Sequence, residues 1–137
     1  MGRSTKPESK FKLEIRKALP DVHWQPIESG TMMAGIPDMN GCFGGVEVWI
    51  ETKIWPRKLT PAQANWIIAR YNAGGRVWIA VKRGVNVKLW KGYKARDLLR
   101  HGWETPVDLW LALDSKDKTI DVPAAWAAFK KTVFGRA

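Results

Sequence analysis

The chain has 137 residues, 45% of them hydrophobic, and a formal charge of +10. That is the size of one domain, long enough to bury its own core, and the apolar content supports a globular fold rather than disorder. No run approaches the ~18 apolar residues that span a bilayer, no apolar stretch follows the basic N-terminus, and Cys42 is the single cysteine, so the expectation is a protein of the reducing cytoplasm with no secretory signal, membrane span or internal disulfide.

Residues 1–8 are polar and read as a flexible basic arm. From Ser9 to Leu19, Phe11, Ile15, Ala18 and Leu19 recur at helical spacing and Pro20 ends the run, with Glu14 beside the apolar face. Val22 to Ile27 suits a first strand, and Glu28 to Ala34 a loop with Ser29 and Gly30 as turn residues. Met39 to Phe43 and Val46 to Ile54 read as two strands of a hairpin turned at Gly44-Gly45. Strand parity puts Val46, Val48, Ile50 and Ile54 on an apolar face with Thr52 among them, and Glu47, Trp49, Glu51 and Lys53 on the other, which suits a polar cleft.

Thr60-Pro61-Ala62-Gln63 is a helix start: Thr60 as N-cap, Pro61 at the first helical position, Gln63 completing a capping box. The helix is expected to run to about Ala73 and stop at Gly74-Gly75. Arg76 to Val81 and Asn86 to Trp90 read as strands around a turn at Gly84. Tyr93 to Arg100 and Pro106 to Leu113 read as short helices, and Ala124 to Phe134 as a terminal helix. The expected architecture is α/β, a mixed sheet flanked by helices. It forms a single domain over 9–137, with a core over 9–90 and small helices over 91–137.

The excess of 23 Lys and Arg over 13 Asp and Glu suits a polyanionic partner, nucleic acid rather than a membrane, since no basic amphipathic helix is evident; solubility alone is the plain alternative. Nine tryptophans are spread along the chain. Most suit a core or an interface, and one or two suit stacking on unpaired bases.

The residues that carry chemistry are Asp38, in Gly35-Ile36-Pro37-Asp38, and Glu51-Thr52-Lys53 on the long strand. Asp38 alone is ordinary turn chemistry after Pro37, and Glu51/Lys53 alone is an ordinary solvated pair on a strand. Together they place two carboxylates on adjacent hairpin strands, where both can hold a hard divalent cation beside a lysine, as phosphodiester cleavage requires. Glu47 shares the face of Glu51 but lacks the lysine two residues on, because position 49 is Trp. His23 and His101 are the only histidines, far apart, and do not suggest a zinc site.

The run Gly35-Ile36-Pro37-Asp38, Gly45 to Lys53, Leu59-Thr60-Pro61-Ala62-Gln63 and Gly74-Gly75-Arg76-Val77 resembles the VRR-Nuc branch of the PD-(D/E)XK nucleases, near the archaeal-type Holliday junction resolvases. The resemblance covers residues 9 to 90 and implies a restriction-endonuclease-like fold. It matches Asp38 to the metal-binding aspartate, Glu51 and Lys53 to the Glu-x-Lys motif, and Gln63 to a glutamine near the scissile phosphate. Glu14 matches a first-helix glutamate that joins the metal in many members, with a solvated helix carboxylate as the alternative. Glu28 and Ser29 fall where some resolvases place a functional serine.

By the same resemblance, Asp38, Glu51 and the backbone carbonyl of Thr52 would bind Mg²⁺, or Mn²⁺ in its place, and Lys53 would hold the attacking water. Arg57, Lys58, Arg70, Lys82 and Arg83 are expected to contact DNA phosphates. The implied activity is structure-specific endodeoxyribonuclease action by a homodimer on branched DNA, a four-way junction above all. The compact format resembles phage or prokaryotic members, which would place the protein in a host cytoplasm if phage-encoded. A flap or single-strand nuclease, and a non-catalytic DNA-binding module, are the alternatives.

Overall fold

The computed structural model describes residues 6–27 and 35–135. The expected 28–34 loop, with Glu28 and Ser29, and residues 1–5 of the expected arm lie outside the described residues. Helix α1 spans Pro7–Ala18, so the arm cannot extend to residue 8 as expected. Pro7 starts the helix because its fixed φ suits a first turn whose N–H groups have no helical partner. Glu8 in the first turn and Arg16 and Lys17 in the last complement the helix dipole.

Six strands follow among the described residues: β1 (His23–Pro26), β2 (Met39–Phe43), β3 (Val46–Ile54), β4 (Val77–Arg83), β5 (Asn86–Lys91) and β6 (Leu109–Ala112). They form one sheet in sequence order. Only β3 and β4 run parallel; the other neighbours are antiparallel. The parallel step needs a crossover, which helix α2 (Pro61–Asn72) supplies. Helix α3 (Ala95–His101) follows a 3-10 turn over Gly92–Lys94, and α4 (Val122–Phe134) closes the chain. The mixed sheet flanked by helices is the architecture that the sequence predicts.

Both faces of the sheet are covered. On one face, Phe11 and Ile15 of α1 and Trp126, Phe129 and Val133 of α4 pack on Val48, Ile50, Ala80 and Leu89. On the other, Ala64 and Ile67 of α2 and Ala95 and Leu98 of α3 pack on Val77, Ile79, Val81 and Trp90. Strand β4 therefore reads as a continuous apolar run, as a strand buried on both sides must. The C-terminal helix α4 contributes Trp126, Phe129, Val133 and Phe134 to the core under β3.

The expected helix over Pro106 to Leu113 is instead β6. Leu109 and Leu111 point into the core beneath α4 while Trp110 points to the other face. That alternation has a period of two, and pairing Asn86↔Ala112 through Leu89↔Leu109 satisfies an outer row of β5 backbone groups that a helix would leave exposed.

Candidate active site

Gly35 sets the approach of the loop that carries Asp38. Its φ is +92°, and a Cβ there would lie 2.5 Å from the carbonyl oxygen of Ala62, so only glycine brings this backbone against the first turn of α2. Four residues on, β2 begins, and its pairing Met39↔Ile50 continues to bring Asp38 beside Glu51 and Pro37 opposite Thr52. Pro37 has no N–H to give the Thr52 carbonyl. Asp38 takes over this rung: Oδ1 accepts the Thr52 N–H at 3.1 Å and Oδ2 accepts the Thr52 hydroxyl at 2.7 Å. The Pro-Asp pair thus ends the ladder and locks a carboxylate onto it.

Glu51 is 3% exposed and lies under the start of α2, next to Gln63. Its Oε2 accepts from the Gln63 amide at 3.3 Å and lies 3.6 Å from the Lys53 ammonium. Gln63 uses its other amide atom for the helix: Oε1 accepts the Thr60 N–H at 2.9 Å while the Thr60 hydroxyl accepts the Gln63 N–H at 3.1 Å. The capping role and the contact with the acid coexist on one side chain. Oε1 of Glu51 is buried and has no hydrogen-bond partner among the described residues.

Burial, then the Asp38 charge, raises Glu51 to a pKa of about 8 despite Lys53. Burial also raises Asp38, against the pull of the Thr52 hydroxyl and of Lys12, whose ammonium is 3.9 Å away. Two carboxylates that repel each other's charge, one with an orphaned oxygen, fit a hard divalent cation. Asp38, Glu51 and the Thr52 carbonyl, the ligands that the sequence suggests, are all oxygen donors of the hard type that Mg²⁺ prefers.

The remaining expected residues are placed as follows. Glu14 is held at 2.8 Å by Lys82 on the α1 side of the sheet, and no group of three His, Cys, Asp or Glu suited to a metal exists among the described residues. Arg57 pairs with Glu8 at 2.9 Å, an exposed contact of little energetic weight. Lys58 borders a cavity of about 110 Å³ with Lys53, Trp55 and Trp103. Arg70 lies over the rings of Trp49 and Trp66, and Arg83 over Trp55 at 4.0 Å. Glu47 is exposed near the hairpin turn, away from this group. Sequence reasoning missed Lys12; its place next to Phe11, one turn before Ile15 on the buried side of α1, was the available signal.

No family model matches the chain, and no curated protein sequence matches it. Among solved structures, the chain is similar to Archaeoglobus fulgidus Hjc, a Holliday junction resolvase from an archaeal hyperthermophile. The TM-score is 0.49 at 17% identity, over 65% of this chain and 77% of that one.

Proposed function

We propose that the chain is a metal-dependent endodeoxyribonuclease that hydrolyses a phosphodiester at the Asp38–Glu51–Lys53 site. The observation that carries this reading is the buried Oε1 of Glu51, without a partner among the described residues, on a carboxyl group that feels the Asp38 charge and whose Oε2 lies 3.6 Å from the Lys53 ammonium. A buried acceptor left without a partner is costly, and a cation that both acids share removes that cost. When bound, a divalent cation supplies charge neutralisation at the phosphate and a lowered pKa for a water. Asp38, oriented by Thr52, and Glu51, oriented by Gln63, hold it. Lys53, two residues along the same strand face, holds the attacking water or a phosphate oxygen. Lys12 stands on the other side of Asp38, where a flanking phosphate would meet it.

The finer reading is cleavage of branched DNA, a four-way junction first, by a homodimer with two sites. It rests on the motif resemblance; flap and single-strand substrates are the competing forms.

The test is cleavage of labelled junction, flap, nicked and single-stranded DNA by purified protein. Mg²⁺ or Mn²⁺ should support cutting and a chelator should abolish it. Asp38→Asn and Lys53→Ala should each reduce the rate at least a hundredfold, and Glu47→Ala should leave it within a few-fold. Cutting that survives chelation, or Asp38→Asn at wild-type rate, overturns the reading.

A further inference from the structure

One row of side chains runs across the α2–α3 face of the sheet from the site to the far edge. The register aligns Lys53↔Val81, Val81↔Lys88 and Lys88↔Trp110. Three strand spacings of about 4.8 Å make this row roughly 14 Å long. Trp55, in the turn after β3, and Arg83, at the end of β4, each two residues farther along the chain, flank the row, and Trp103 from the turn after α3 leans over it. Aromatic rings and cations alternate along this path. The Arg83 guanidinium is 4.0 Å from the Trp55 ring centre and 5.8 Å from that of Trp103. The Lys88 ammonium is 4.4 Å from Trp103 and 4.8 Å from Trp110.

The rings are held in place and still open. Lys88 is buried and donates to the Trp103 carbonyl at 3.0 Å, so its charge supports the two rings from beneath. The Trp110 indole N–H donates to Asn86 Oδ1 at 3.2 Å, which fixes the ring with its polar atom satisfied. Yet Trp110 is 58% exposed and Trp55 is 42% exposed. Large rings this open in a chain that buries Trp78, Trp90 and Trp126 have a cost, and here they are pre-oriented.

From this arrangement we infer that the row binds an unpaired DNA strand and leads it to Lys53. Trp110, Trp103 and Trp55 act as stacking platforms, and Arg83 acts as a phosphate contact. Every base has a π-face that an aromatic ring can stack on without reading sequence, and a cation between platforms meets the backbone. A duplex offers no such face, because its bases stack on one another. The interleaved cations and the +10 charge favour a polyanion over an apolar protein surface. The inference rests on the nuclease reading for its purpose, since it specifies the substrate of that site as DNA with an unpaired segment.

The test is fluorescence anisotropy of the full chain with a short labelled oligothymidylate and with a hairpin duplex, both in chelator so that nothing is cut. Trp110→Ala and Trp55→Ala should each weaken oligothymidylate binding about fivefold or more, the scale of one lost stacking contact. Duplex binding should change less than twofold, and Trp110→Phe should retain most of the oligothymidylate affinity. Equal losses on both probes, or no loss on either, overturn the inference. So does sedimentation in which the wild-type chain self-associates and Trp110→Ala does not, because the face then belongs to a second copy. These readouts need no turnover: absence of cleavage by the wild-type protein would sink the nuclease reading and leave the strand-binding result standing.

Discussion

Glu51 carries a proton in the folded chain over a range where an exposed glutamate would not. Its pKa rises from 4.5 to about 8, by burial first and by the Asp38 charge second. The folded state then binds more protons than the unfolded state between those values, so stability falls as pH rises through them. This contribution is fully present below pH 4.5 and lost above about 8. At about 1.4 kcal/mol per unit, the swing is on the order of a few kcal/mol. Denaturant unfolding of metal-free protein at pH 6 and pH 9 should show wild type losing stability and Glu51→Gln losing much less. A wild-type curve that rises over this interval would contradict the buried, protonated acid. Metal binding requires the proton to leave, so Mg²⁺ affinity should increase with pH over the same window.

At the scale of elements, the site depends on the contact between the loop before β2 and the first turn of α2. Gly35→Ala meets two penalties, a left-handed backbone and a clash with the Ala62 carbonyl, whereas Gly74→Ala meets only the first, since its φ of +96° opens onto empty space. Both should lose on the order of 1–3 kcal/mol from strain. Only Gly35→Ala should also lose activity, because the Asp38 loop must move; equal activity in the two variants would detach Gly35 from the site. Thr60→Ala should cost about 1 kcal/mol of stability by removing the N-cap. It should also lower cleavage, because the cap holds the Gln63 amide against Glu51. A stability loss with unchanged cleavage would make Gln63 purely a capping residue.

For the whole molecule, charge is the property that reaches beyond contact distance. DNA binding should weaken steeply with salt, with a slope near −0.7 per phosphate contacted on single strands and near −0.9 on duplex. A flat plot of log affinity against log salt would mean that the +10 charge is not the docking surface. No helix among the described residues is long and apolar enough to cross a membrane. The homodimer is a separate expectation, decided by sedimentation at micromolar concentration.

Much of this was legible in the sequence because it depended on neighbours along the chain. The hairpin Met39–Phe43 and Val46–Ile54, its glycine turn, the Thr60 cap and the pairing of Asp38 with Glu51 all follow from alternation, turn chemistry and capping, which act over a few residues. What the sequence left open depended on partners distant in the chain. Leu109–Ala112 is a strand because β5 has an edge to fill, and its four-residue alternation was too short to outweigh a helical reading. The burial of Glu51, its orphaned oxygen and its raised pKa exist only because α2 crosses over β3. Glu14 lies with Lys82, 68 residues away, and Lys12 with Asp38, because α1 packs across the opposite face of the sheet. The row from Lys53 to Trp110 is invisible in one dimension: its members come from four strands, and only the register of the sheet brings them into line.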